Sequence, residues 1–171
     1  LRASNTSTLP ITSLAAHVKD QPNFIGIHFF SPVEKMQLVE IIMGKKTSAA
    51  ALARALDYVK QIRKTPIVVN DSRGFFTSRV VSAHIAEAHY MLEEGIPPVL
   101  IEHAGKQAGM PVGPLALADE IALDLQWKIM QAAKADLGAQ HEDGPIERII
   151  EEMVVKRERF GRKNGRGYYD Y

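Results

Sequence analysis

The sequence contains no cysteine. Disulfides, thiolate nucleophiles and cysteine-ligated metals are therefore excluded, and the composition suits a reducing compartment. There is no apolar run near the roughly 20 residues that a membrane-spanning helix needs. There is almost no net charge: 21 Lys+Arg against 20 Asp+Glu leave +1, so no overall field draws the chain to nucleic acid or to an anionic membrane. Three catalytic signatures are missing as well: H-E-x-x-H, G-x-S-x-G and G-x-G-x-x-G. The first two absences exclude that helix-borne zinc site and a nucleophile-elbow hydrolase. The third leaves residues 1–171 without the glycine turn that brings a backbone up to a dinucleotide pyrophosphate. His84 and His89 stand five apart, a spacing that does not share a helical face, so no metal site is expected.

What is present describes an ordinary globular chain. Its 171 residues, 46% of them hydrophobic and 24% charged, suffice for one medium domain or two small ones. Residues 1–70 carry a net charge of +5 and residues 71–171 a net of −4. That asymmetry suits a phosphate-bearing ligand on the first half, and equally two solvated faces of different composition.

The first half alternates strands and helix. "FIGIHFF" (24–30), "LVEIIM" (38–43) and "TPIVVN" (65–70) read as strands. "TSAAALARALDYVKQIRK" (47–64) reads as a helix, with a capping Thr or Ser and a basic last turn. The opening "LRASNTSTLP" reads as a strand tail and a turn. From about Gly74 the pattern turns helical: 74–94, a short helix ending at Gly109, then 115–137 and 145–158, with "FGRKNGRGYYDY" (160–171) as a basic, aromatic close. The expected boundary lies near residues 70–74, with an α/β piece over 1–71 and an all-α domain over 72–171. Three or four strands are too few for a doubly wound sheet, so more sheet is expected upstream.

One short region carries the chemistry. "GIHFFSPVEKMQLVEII" (26–42) sets His28 and Glu40 in the middle of two apolar strands. Burying an ionised carboxylate alone is expensive, so it is paired or neutralised. If the strands are neighbours, the carboxylate can hold one ring nitrogen and leave the other as a base aimed at a ligand. The same two residues also read as a core histidine bonded to a backbone carbonyl and a glutamate reaching water. Spacing alone leaves both readings open.

The blocks "SNTSTLPITSLA" (4–15), "GIHFFSPVEKMQLVEII" (26–42), "DSRGFFTSRV" (71–80), "AGMPVGPLALADEIALD" (108–124) and "FGRKNGRGYYDY" (160–171) come in the order of the 3-hydroxyacyl-CoA dehydrogenase family, which the whole chain resembles. The resemblance implies the C-terminal part of a Rossmann-type NAD-binding domain, followed by a helical domain like the C-terminal domain of 6-phosphogluconate dehydrogenase. It implies NAD as cofactor, oxidation of (S)-3-hydroxyacyl-CoA to 3-ketoacyl-CoA, and an acyl-CoA site in the cleft between the domains. It places His28 as general base, Glu40 as the acid orienting it, and Ser7 on the reacting oxygen near the nicotinamide. Ser31 and Ser78 fall on pocket positions where many single-function members carry asparagine. Those two residues, with the Gly-Phe-Phe-Thr-Ser-Arg block, look more like the multifunctional α-subunits of fatty-acid β-oxidation. That likeness implies a hydratase domain on the same chain and a thiolase subunit as partner.

Further expectations follow from the same reading. The parent protein is placed in the bacterial cytoplasm, or in the mitochondrial matrix if eukaryotic. Residues 1–171 alone are expected neither to bind NAD tightly nor to turn over substrate, which an NAD titration checks. Phe75, Phe76, Val80, Val81, Ile85 and Met91 give the long helix more apolar surface than one core stripe needs, so homo-oligomerisation through the helical domain is expected. The rivals are a helical assembly module without catalysis and another β-hydroxyacid dehydrogenase of the same plan, which would use a lysine as base. The basic tail is expected to be structural and not to bind nucleic acid.

Overall fold

The computed structural model describes residues 1–138 and 144–171, which form two compact units, Leu1–Val81 and Ser82–Tyr171. The first is built on a four-stranded sheet in the order β1 (Arg2–Ser4), β2 (Phe24–Phe29), β3 (Leu38–Met43), β4 (Thr65–Asn70). β1 and β2 are parallel, β3 and β4 are parallel, and β2 and β3 are antiparallel. The three strands read from the sequence are β2, β3 and β4, and the strand tail at its start is β1.

Both faces of this sheet are covered, which is why β2 and β3 read as continuous apolar runs. On one face Ile25, Ile27, Val39 and Ile41 meet Ala55 and Val59 of α2 (Ala49–Gln61). Ser48 caps α2 by accepting the Ala51 N–H at 3.1 Å. On the other face Phe24 and Ile42 meet Phe75 together with Ile11 and Ala15 of α1 (Ile11–Ala15). A Cβ on Gly26 would stand 2.8 Å from Ile11 and 2.9 Å from the Ile42 Cβ, so α1 packs directly on the β2 backbone. The sequence gives no sign of α1, because five residues are too few to show a helical period. Asp71 anchors it: the carboxylate accepts the Ile11 and Thr12 N–H groups at 2.7 Å each and the Thr12 hydroxyl.

Helix α3 (Thr77–Glu93) begins in the first unit and continues into the second. It starts three residues later than the sequence pattern suggests, because Gly74 and Phe75 take left-handed backbone (φ 75° and 47°). The second unit adds α4 (Pro98–Gln107), α5 (Pro114–Ile121), α6 (Leu123–Leu137) and α7 (Pro145–Glu151), which runs on into a π-turn over Glu152–Lys156. The expected single helix over 115–137 is two helices, broken at Ala122 (φ 84°). The C-terminal segment causes the break. The Leu123 N–H bonds the Phe160 carbonyl at 3.0 Å rather than Asp119, the helical partner four residues back.

Asp119, fully buried on α5, grips that segment. Its carboxylate accepts the Tyr168 N–H (2.8 Å), the Tyr169 N–H (3.1 Å) and the Tyr171 hydroxyl (2.9 Å). A Cβ on Gly167 would lie 2.0 Å from Asp119 Oδ1, so only glycine fits there. Burial first, then the hydrogen bond to Asp119 and its charge, pushes the Tyr171 hydroxyl up to about 12. Tyr168 and Tyr169 pack on Ala88, Ile101 and Leu115. Cations of the segment face carboxylates: Arg159 meets Asp170 at 2.7 Å and Lys163 meets Asp124 at 2.5 Å. The Lys163 bond is the main cause holding Asp124 below the usual carboxylate range. Among the described residues no helix is long and apolar enough to cross a membrane, and no cluster of side chains could hold a metal ion.

Candidate active site

The antiparallel register of β2 and β3 sets His28 directly opposite Glu40, so both side chains leave the same face as nearest cross-strand neighbours. His28 is 4% exposed and Glu40 is fully buried. His28 Nδ1 and Glu40 Oε2 are 2.7 Å apart. Phe30 and Phe75 flank the imidazole, with ring centroids at 4.5 and 6.1 Å, which lowers the local dielectric and strengthens each polar contact.

The carboxylate is saturated. Oε1 accepts the N–H groups of Phe76 (3.1 Å) and Thr77 (2.9 Å), and Oε2 accepts the Thr77 hydroxyl (2.8 Å). These donors stand at the N-terminus of α3, where unpaired N–H groups and the helix dipole favour a negative charge. With the other three contacts all donating, Glu40 fits as an acceptor-only carboxylate and His28 Nδ1 carries the fourth hydrogen. Nε2 then holds the lone pair. It has no hydrogen-bond partner among the described residues and is not one of the fully buried unpaired atoms, so the slight exposure of His28 reaches it.

The three serines are brought toward this strand end unequally. Ser7 lies on the loop that leaves the carboxyl end of β1. That loop is tied down at three points: Asn5 Oδ1 accepts the Phe29 N–H (2.9 Å), Thr8 O accepts the Gly74 N–H (3.3 Å), and Ser7 O accepts the Ser78 hydroxyl (3.4 Å). Ser7 and Ser78 are therefore neighbours, one residue away from Thr77 and its grip on Glu40. Ser31 lies three residues past His28, is exposed, and makes no hydrogen bond to either of the other serines. The β2–β3 loop beyond it is held by Lys64, whose ammonium donates to the carbonyls of Val33 (2.6 Å) and Met36 (2.7 Å).

Two family models divide the chain between them. The 3-hydroxyacyl-CoA dehydrogenase NAD binding domain matches residues 1–72, and the 3-hydroxyacyl-CoA dehydrogenase C-terminal domain matches residues 74–171. The chain belongs to the 3-hydroxyacyl-CoA dehydrogenase family. Among solved members, (S)-3-hydroxybutyryl-CoA dehydrogenase of Ralstonia eutropha is 40% identical, with a TM-score of 0.86 over 99% of this chain and 59% of that one. The 3-hydroxybutyryl-CoA dehydrogenase of Escherichia coli is 31% identical, with a TM-score of 0.84 over 98% of this chain and 36% of that one. The dehydrogenase part of multifunctional enzyme 1 from C. elegans is 30% identical, with a TM-score of 0.58 over 99% of this chain and 37% of that one. The chain thus spans about three fifths of the first of these relatives and little more than a third of the others. Its mixed sheet is a partial Rossmann-like fold, followed by the helical C-terminal unit of the 3-hydroxyacyl-CoA dehydrogenases.

Sequence reading missed two contributors. Thr77 supplies two of the four contacts to Glu40, and Asp71 fixes the far end of the Ser7 loop through α1. The only available signal was indirect: a buried carboxylate needs donors, and "GFFTS" is a helix start that offers them.

Proposed function

We propose that the protein carrying this chain is an NAD-dependent (S)-3-hydroxyacyl-CoA dehydrogenase, with His28 as general base, Glu40 as the acid that orients it, and Ser7, Ser31 and Ser78 as substrate contacts. The observation that supports it best is the 2.7 Å His28–Glu40 contact between a nearly buried imidazole and a carboxylate that already holds three other donors. The Nδ1–H bond fixes the ring so that the Nε2 lone pair faces outward. As the substrate C–H bond breaks, Nε2 takes the proton of the 3-hydroxyl, and the C3–O bond becomes a carbonyl. The imidazolium formed in this low-dielectric setting is balanced by the Glu40 charge. Ser7 can donate to the same oxygen, and it doubles as the contact on the nicotinamide side.

NAD, when bound, supplies the hydride acceptor. The residues present fit its reactive end, because the Ser7 loop leaves the carboxyl end of a parallel strand, where doubly wound sheets receive ligands, and Asn5 ties that loop beside His28. They do not include the glycine turn that would cradle its pyrophosphate.

The test is NADH formation by the complete gene product from (S)-3-hydroxybutyryl-CoA. His28→Gln is expected to lower kcat by about 10²–10⁴ with the fold intact. A fully active His28→Gln variant rules out the assignment. A second reading concerns partners. Likeness to the dehydrogenase part of a multifunctional enzyme supports a hydratase domain on the same chain and a thiolase subunit bound to it, which crotonyl-CoA hydration by the gene product and co-purification test. Val99 and Leu100 on α4, 75% and 58% exposed, support self-association through the helical unit, which light scattering tests.

A further inference from the structure

We infer that Thr77 is a positioning residue for the His28–Glu40 pair: its hydroxyl sets the plane of the Glu40 carboxylate, and so the direction of the acceptor that holds His28. This rests on the catalytic reading above and adds a residue to it.

The terminal torsion of a glutamate is broad and roughly two-fold. The Phe76 and Thr77 N–H groups both bond Oε1, so alone they would anchor one oxygen and leave the other free to swing. The Thr77 hydroxyl bonds the second oxygen at 2.8 Å, the same Oε2 that meets His28 Nδ1 at 2.7 Å. Thr77 therefore grips the carboxylate at both ends, with N–H on Oε1 and O–H on Oε2. The swing is removed and Oε2 stays aimed at the ring.

Threonine at the start of a helix suits this task. Inside a helix its hydroxyl tends to bond back to the carbonyl three or four residues earlier. At Thr77, the first residue of α3, no preceding helical turn offers that carbonyl, and the hydroxyl is left for Glu40. The hydroxyl is not one of the α3 N–H groups that Glu40 caps. Its removal therefore leaves the helix start capped, and a purely structural role predicts little change.

The experiment compares wild type, Thr77→Val and Thr77→Ser in the complete gene product, by steady-state kinetics with NAD and (S)-3-hydroxybutyryl-CoA and by proton NMR of the His28 Nδ1–H resonance. Thr77→Val is expected to lower kcat about tenfold with KM nearly unchanged, the effect of losing one hydrogen bond to a charged group. Thr77→Ser, which keeps the hydroxyl, is expected to stay within about threefold of wild type, since only a methyl is lost. The Nδ1–H resonance is expected to move or broaden in Thr77→Val and to return in Thr77→Ser. Equal impairment of both variants, or wild-type kinetics with an unmoved resonance in Thr77→Val, overturns the inference. Should the wild-type protein fail to oxidise the substrate, the catalytic reading falls, while the resonance still decides whether Thr77 positions the pair. If Thr77→Val does not fold, an unmoved resonance and wild-type kcat in the alternative Thr77→Ala variant overturn it in the same way.

Discussion

Replacing Glu40 by glutamine separates the chemistry of the buried pair from its packing. The glutamine must place its carbonyl oxygen where Oε1 now sits, because an NH₂ there would confront the Phe76 and Thr77 N–H groups at about 3 Å. Each donor so stranded costs about 1–3 kcal/mol. The NH₂ group then occupies the place of Oε2 and donates. The Thr77 hydroxyl can rotate to accept one hydrogen, and His28 Nδ1 must accept the other. The imidazole proton moves to Nε2, and the nitrogen that should receive the substrate proton no longer has a lone pair. The expected loss in kcat is on the order of 10³–10⁴, or about 4–5.5 kcal/mol of transition-state stabilisation. Stability should fall by only about 1–2 kcal/mol, because every polar group keeps a partner. Glu40→Ala differs: it leaves three donors and the ring nitrogen unpaired, and about 3–5 kcal/mol of stability should go with it. Stopped-flow NADH formation and urea melts of both variants in the complete gene product measure the two quantities. A Glu40→Gln variant with kcat within about tenfold of wild type would refute the tautomer reasoning.

Other outcomes follow from the same contacts. His89, fully buried and bonded through Nε2 to the Tyr168 hydroxyl at 2.6 Å, is lowered by burial to about 4. Between pH 6.5 and 4 the unfolded chain binds a proton there that the folded chain does not, so stability falls as pH falls through that window, by about 3 kcal/mol in all; urea midpoints at both ends should show the loss, and His89→Gln should flatten it. Gly167→Ala would drive a methyl into the Asp119 carboxylate and should cost about 3 kcal/mol or more; an unchanged urea midpoint contradicts the tight fit. Ser48→Ala removes the N-cap bond of α2 and should cost about 1 kcal/mol, seen as a small drop in melting temperature.

The elements legible in the sequence were those whose signal is local. β2, β3, β4 and α2 each announce themselves by composition and period, and the pairing of His28 with Glu40 follows once β2 and β3 are neighbours. What the sequence hid depends on contacts distant along the chain. α1 exists because Asp71 arrives some 60 positions later to hold its first N–H groups. The break at Ala122 exists because Phe160 offers a carbonyl to Leu123. The tie between Thr77 and Glu40 crosses 37 positions, and no periodicity in either segment encodes it. Of the three serines, Ser7 and Ser78 meet because the Ser7 loop is pinned against the first turn of α3, which neither segment reveals alone.

The hold of Asp119 on the last four residues also constrains when the second unit can form. Until Tyr168, Tyr169 and Tyr171 arrive, that carboxylate has lost the three donors that make its burial tolerable. During synthesis, α5 must therefore wait with its charge in water while some fifty further residues leave the ribosome. The helical half should stay protease-sensitive on nascent chains stopped before Tyr168, and become resistant only once that segment has emerged.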